Sequence, residues 1–486
     1  MKATSDWLST WARFRPQHEA IYDVGTGRRF TYAALKAESD AWARRLRREG
    51  VRPGDRVAVM ALNRAETLAI LFAVAELGAV LFPVNWRLSP AEVRYQLDDC
   101  APRVCLADAA NLAALPGAIS LDQGPGEPGD PLEDAPGSAL EAPWMIMYTS
   151  GSTGRPKGAM LTHGQVHWNA LNTILACDLD LDCSTLTFTP LFHTGGMNCL
   201  TTPLLHRGGR VVLTPGLDAG VALALIGAER ITHLMGVPTI YRMLADHPDF
   251  AAADLSAVRD ALCGGASLPL PLLEEYLDRG VPLRQGFGLT EVGPNCFSTP
   301  PQDTRRKLGC VGQPIHHIAM KLVRPDGTEC GVDEPGELAL AGPVVFGGYW
   351  GRPEETAKSL RDGWFYTGDV LSRDAEHFYT VRGRIKEMFI SGGENVYPAE
   401  VEAALTGAPG VALAAVIGVA DARWGEVGAA FLEPVPGVSL DAEAVKAWLS
   451  GRLARFKIPK HYVVEASLPR TASGKIDKAL LKGRLG

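Results

Sequence analysis

At 486 residues, 46% hydrophobic and 21% charged, the chain has the composition of a soluble globular protein and is too long for one ordinary domain. Lys+Arg 48 against Asp+Glu 55 leaves a formal charge of −7, a mild acidic excess that argues against a nucleic-acid partner. The nine cysteines are an odd number, scattered from Cys100 to Cys330 without a C-x-x-C pair; they suggest neither a disulfide framework nor a zinc site and favour a reducing, cytoplasmic setting.

The opening "MKATSDWLSTWARFRP" has no continuous apolar run, so no signal peptide is expected. "TYAALKAESDAWARRLRREG" has helical spacing, with Thr31 as N-cap and Gly50 as the stop. "RVAVM" (56–60) reads as a strand and a helix follows from about Ala65 to Leu77. The greasiest stretch, "LAILFAVAELGAVLF", carries Glu76 and Gly78, and reads as a buried helix followed by a strand, not as a membrane span. The alternation continues with "AVLFPV", a helix after Ser89, "RVCLA" and "WMIMY", then "TLTFTP", "RVVLT", "ITHLMGV" and "DALCGG". Strands alternating with helices predict parallel α/β sheets. Residues 116–143, rich in Pro, Gly and acid, interrupt this rhythm and read as a surface excursion within one large unit.

Past about residue 310 the signals turn to β: a hairpin around Pro325-Asp326-Gly327, then "GELALAGPVVFGGYW". The last block, from near Arg384, holds helical "PAEVEAALTG", strand-like "VALAAVIGV" and a helix over "DAEAVKAWLSGRLARF" (441–456), a plausible small α+β domain. No internal repeat is visible.

The chemistry starts at "YTSGSTGRPKG" (148–158). It is not a P-loop, because Pro156 stands where the second Gly belongs and Gly158 follows Lys157 in place of Ser or Thr; G-x-G-x-x-G fails too. Its residue types still suit an anion. Gly151 and Gly154 permit close backbone approach, the hydroxyls of Thr149, Ser150, Ser152 and Thr153 can meet phosphate oxygens, and Lys157 adds a charge. A flexible Ser/Gly turn is the competing reading. Five further strings follow: "PLFHTGG" (190–196), "QGFGLTE" (285–291), "YTGDV" (366–370), "RIKEMFISGGENVYPAEVE" (384–402) and "PRTASGKIDK" (469–478).

Together, and in this order, the six resemble the motifs of the acyl-adenylate-forming superfamily of acyl-CoA synthetases, adenylation domains and luciferases. The resemblance implies an α/β fold: a large N-terminal domain (1–385) of mixed and parallel sheets flanked by helices, with a β-rich subdomain. A small mobile α+β domain (386–486) would rotate about a hinge near Lys386. It implies ATP, Mg²⁺ and coenzyme A as cofactors. A carboxylate is anionic and lacks a leaving group, so attack on the α-phosphate of ATP converts it to an acyl-AMP; cations must hold the two repelling anions together.

By the same resemblance, Glu291 would hold Mg²⁺, Thr290 would bond the AMP phosphate, and Phe287, between Gly286 and Gly288, would stack on adenine. Gly264, Gly265 and Ala266 would form the flat wall beside it. Asp369 and Arg384 would bind ribose, and Lys475 would meet the carboxylate during adenylation. His193 would lie at the acyl pocket or gate the thiol channel; a core histidine satisfied by backbone is equally open. Gly392 and Gly393 would line the pantetheine tunnel, and Trp424, Phe456 and Lys460 would meet the CoA nucleotide.

These features imply an acid–CoA ligase, with a fatty acid as the first expectation and an aryl acid as the alternative. An acyl-AMP ligase loading a separate carrier protein is a further rival; a luciferase-like oxygenase or a non-enzymatic nucleotide-binding module has less in its favour. The acyl pocket is expected from Thr194, Gly195, Gly196, Met197, Val237 and Pro238, with no Lys or Arg for a second carboxylate. No integral membrane segment is expected, and a homodimer is possible.

Overall fold

The computed structural model describes residues 6–126, 132, 138–149, 155–471 and 475–484. Two large sheets face each other across one core. The first runs Ile119–Ser120, Val104–Ala107, Arg56–Met60, Val80–Pro83, Pro143–Thr149 and Lys157–Thr162, parallel except for the last pair. The second runs Leu283–Gln285, Asp260–Cys263, His233–Gly236, Ser184–Thr187, Arg210–Leu213, Glu19–Asp23 and Arg28–Thr31, parallel except at the Arg28–Thr31 edge. Parallel strands are covered on both faces, which is why the runs are apolar without alternation; every residue of Val80–Pro83 is buried.

The helix Ala65–Glu76 follows the same logic. It is buried from Ala65 to Ala75, since it joins the core shared by Ile21 and Val211 of one sheet and Val57 and Leu81 of the other. Its neighbour Tyr32–Arg48 starts at Thr31, whose hydroxyl accepts from Ala34 N, and the chain turns at Gly50 with φ +82°.

An antiparallel five-stranded sheet follows: Ala319–Val323, Gly336–Ala341, Trp364–Arg373 and Leu360–Arg361, with Tyr379–Arg384 also paired to Trp364–Arg373. The turn at Asp326-Gly327 forms, but only the Val323–Glu329 bridge closes it; the long partner of Ala319–Val323 is Gly336–Ala341.

A final sheet comprises Phe389–Ser391, Glu394–Val396, Val411–Asp421, Gly425–Pro434 and His461–Val464. Its two apolar clusters draw only on residues from Phe389 onward, one around Val401, Leu405 and Leu449, the other around Ile417, Phe431 and Leu481. The helix expected over 441–456 stops at Leu449. Gly451 takes φ +84°, and Arg455–Lys457 is a separate 3₁₀ turn. Among the described residues no helix is long and apolar enough to cross a membrane.

Candidate active site

The strands that flank the Ser/Gly-rich string are paired with each other. Pro143–Thr149 and Lys157–Thr162 run antiparallel, with Thr149 opposite Lys157. Ser150, Gly151, Ser152, Thr153 and Gly154 lie outside the described residues. Lys157 does not stand alone. Its ammonium sits 5.3 Å from the ring centroid of Tyr349, whose hydroxyl donates to Glu291 Oε1 at 2.9 Å. Glu291 is 8% exposed, so this bond fixes one carboxylate oxygen of a nearly buried acid and leaves Oε2 for another partner. Sequence reasoning missed Tyr349. The signal was the "GGYW" turn, but nothing in a spacing of 58 residues ties it to Glu291.

Gly264, Gly265 and Ala266, expected beside a purine, follow the strand Asp260–Cys263. Gly265 takes φ +78°, and a Cβ there would meet only Val237 Cγ1 at 3.5 Å; one at Gly264 would meet only Met235 Cε at 3.8 Å. The peptide faces are therefore open, and Ala266 is exposed next to them. Phe287 is half-buried, edge-on to Phe297 with centroids 5.8 Å apart. Gly286 N–H donates to Cys263 O at 2.7 Å. Gly288 is glycine for another reason: a Cβ would lie 1.4 Å from the carbonyl oxygen of Pro294. Thr290 is half-buried and its carbonyl accepts from Gln165 Nε2.

Asp369 and Arg384 are direct cross-strand partners, with Arg384 Nε 2.8 Å from Asp369 Oδ1. Asp369 is 3% exposed, and its Oδ2 is buried with no hydrogen-bond partner. Burial raises its carboxyl to about 6, against the pull of Arg384 and Lys475. Lys475 completes the constellation. It opens onto the cleft yet is flanked by enough protein that desolvation, then Arg384, hold its pKa below the ordinary lysine value, while Asp369, Glu291 and Glu387 oppose the fall. The structure thus gathers residues from four distant motifs, 291, 369, 384 and 475, at one place.

His193 is half-buried, and its buried Nε2 has no hydrogen-bond partner. Burial lowers its pKa to about 4, with Lys475 and Arg87 adding to the effect, which leaves a neutral imidazole at pH 7. Three of the residues expected on the acyl side are packed inside the protein. Met197 is fully buried in the core, Pro238 is buried in the first turn of its helix, and Gly196 packs against the Pro190 and Thr189 carbonyls, where a Cβ would be 2.2 and 2.6 Å away. The Met235 methyl approaches both Gly195 (3.2 Å from a Cβ) and Gly264 (3.8 Å), with Val237 beside Gly265. Arg87, also missed, lies 6.0 Å from the Phe192 ring centroid.

The last group lies on the terminal sheet. Gly392 takes φ +61°, and a Cβ would meet the Trp424 ring at 2.9 Å; its N–H donates to Trp424 O. Gly393, at φ +90°, has open space. Lys460 Nζ sits 4.8 Å from the Trp424 ring centroid, so Gly392, Trp424 and Lys460 form one face. Phe456 packs against the core around Val396 and Leu449. Lys386 lies in the turn after Arg384, whose carbonyl accepts from Glu387 N and Met388 N.

The chain matches the AMP-binding enzyme family over residues 8–350 and the AMP-binding enzyme C-terminal domain over residues 400–475. It is 43% identical to a feruloyl-CoA synthase from an Amycolatopsis species, over 99% of this chain and 98% of that one. An indoleacetate–CoA ligase of Aromatoleum aromaticum is 41% identical, over 98% and 96%. Among solved structures, o-succinylbenzoate coenzyme A synthetase (MenE) from Bacillus subtilis, in complex with ATP and magnesium ion, superposes with a TM-score of 0.90 at 32% identity, over 98% of this chain and 99% of that one.

Proposed function

The chain belongs to the AMP-binding enzyme family, and from that premise we propose an ATP-dependent ligase that joins an aryl-bearing carboxylic acid to coenzyme A through an acyl-adenylate. The observation that carries the reading is the convergence of Glu291, Asp369, Arg384 and Lys475 on one cleft, with a buried carboxylate oxygen left unpaired.

ATP fits that chemistry. Asp369 Oδ2 is an acceptor without a donor, which a ribose hydroxyl supplies, and the open peptide faces of Gly264 and Gly265 admit a flat base against Phe287. Mg²⁺ fits as well. Among the described residues no three acids, histidines or cysteines cluster to cage a metal, so Glu291 Oε2 would be a lone protein ligand completed by phosphate oxygens and water. When bound, the ion neutralises charge on the phosphates.

In the first half-reaction a carboxylate oxygen bonds to the α-phosphorus and the bond to the pyrophosphate oxygen breaks. Lys475 places its ammonium where both anions approach, and Lys157 serves the departing pyrophosphate. In the second, a thiolate sulfur bonds to the acyl carbon and the carbon–oxygen bond to AMP breaks. The Gly392–Trp424–Lys460 face presents the thiol, after the domain beginning at Lys386 has turned about that residue. The self-contained cores from Phe389 onward support such a rotation, because no apolar cluster has to be torn apart.

An aryl acid is preferred over a fatty acid. The wall of Gly195, Met235, Gly264 and Val237 offers backbone planes and a thioether, which suit a flat ring. Full-length likeness to feruloyl and indoleacetate ligases supports the same reading. The test is CoA-thioester formation with acids from acetate to palmitate, benzoates, cinnamates and indoleacetate. Turnover confined to alkanoic acids would refute the aryl assignment.

A further inference from the structure

Lys475 shares its neighbourhood with a second lysine and a third carboxylate. The loop that bears it is pinned at its base: Thr471 N and Oγ1 both donate to Lys475 O, at 2.7 and 3.2 Å, and Asp477 N donates to Pro469 O at 2.8 Å. Asp477 then caps the helix Lys478–Gly483, which Leu481 anchors in the apolar cluster around Ile417 and Phe431. Lys478, first in that helix, sends its ammonium to Glu387 Oε2 at 2.5 Å and to Glu402 Oε1 at 2.9 Å. Glu402 is itself held, since Val416 N donates to the same oxygen at 2.7 Å.

Glu387 is the odd member of this set. It stands in the turn next to Lys386, its side chain is 40% exposed, and its charge reaches Lys475. Two lysines three residues apart thus both feel one half-exposed carboxylate, which is bonded to Lys478. Were Glu387 to pair with Lys475, the ammonium needed by two anionic substrates would be neutralised before they arrived.

We propose that Lys478 is a positioning residue that sequesters Glu387 and thereby keeps Lys475 free for the acid and the α-phosphate. The proposal rests on the reading that Lys475 serves adenylation. It acts in that half-reaction alone, because the thiol step draws on the Gly392–Trp424 face.

The test is a double-mutant cycle read by acid-dependent ATP–pyrophosphate exchange and, separately, by thioester formation from supplied acyl-AMP. Lys478→Met is expected to lower the exchange kcat by about fivefold with little change in KM for ATP, since an exposed ion pair is worth at most about that factor. Glu387→Gln alone leaves exchange within about twofold of wild type, and Lys478→Met/Glu387→Gln recovers most of the loss. Both variants lacking Lys478 leave Glu402 equally unpaired, so general destabilisation is common to them and only the Glu387 charge differs. Lys478→Arg, which keeps the pair, retains activity.

A double variant no better than Lys478→Met, or loss with Glu387→Gln alone, overturns sequestration in favour of a purely structural anchor; an unaffected Lys478→Met overturns it outright. Lys475→Ala in the same assays separates the two readings. If it slows both half-reactions equally, the adenylation role fails; if it is selective and the cycle shows no recovery, only the sequestration fails.

Discussion

Asp369 offers a sharp test, because the structure predicts that removing its charge makes the protein more stable and the enzyme worse. Its carboxyl is raised from the ordinary 3.8 to about 6, chiefly by burial. A tenfold change in proton affinity is worth about 1.4 kcal/mol, so ionising this group in the folded protein costs about 3 kcal/mol more than in the unfolded chain. The sign follows from linkage. Between pH 4 and 6 the folded state keeps a proton the unfolded state has lost, so this group's contribution to stability falls as pH rises through that window and is flat above it. In Asp369→Asn nothing ionises. Its stability relative to wild type should climb from near zero at pH 4 towards about 3 kcal/mol at pH 7 and above.

The readout is the difference in melting temperature between the two proteins in matched buffers from pH 4 to 8, a few degrees at the plateau for a chain of this size. Over the same range the variant should lose ATP use, because an amide has one acceptor oxygen where Arg384 and a ribose hydroxyl each need one, and wild-type activity should itself fall below about pH 6. A stability difference independent of pH would refute the burial argument, and undiminished use of ATP by the variant would refute the ribose assignment.

Tyr349→Phe should cost about 1.5–3 kcal/mol of adenylation, roughly ten- to a hundredfold, since it removes a hydrogen bond to a charged acceptor; the loss should appear as weaker Mg²⁺ dependence in a titration of pyrophosphate release. Gly195→Val would push a branch onto Met235 Cε, 3.2 Å from the Cβ position. It should raise KM for bulky acids by about tenfold while sparing acetate, measured across the acid panel. Trp424→Ala removes the ring beneath Lys460, which keeps its ion pair with Asp421, and should raise KM for CoA by roughly tenfold, with acid-dependent pyrophosphate release unchanged.

Most of the frame was legible in the sequence because parallel strands and their helices announce themselves by period. "RVAVM" folds as Arg56–Met60, and Thr31 caps the helix its spacing predicts. The helix over 441–456 went wrong because an apolar period continued past Gly451, where the backbone turns left-handed and propensity gives way to local φ. Motifs located Glu291, Asp369 and Lys475, yet not what holds them. Tyr349 is tied to Glu291 across 58 residues, and Met235 reaches Gly195 from a neighbouring strand; such contacts have no period. Gly288 was legible as a glycine, but not that the group it makes room for is the Pro294 carbonyl.

The clusters from Phe389 onward draw on no earlier residue, while the wall of Gly195, Met235, Val237 and Gly264 belongs to the seven-stranded sheet and its loops. Selection can therefore act on diet and on timing separately. A substitution that reshapes the acid's berth leaves the packing around Val401, Leu405 and Phe431 untouched, and one that retunes the terminal sheet leaves the berth as it was. Descendants of such a chain can vary the surroundings of Met235 without repacking the terminal sheet.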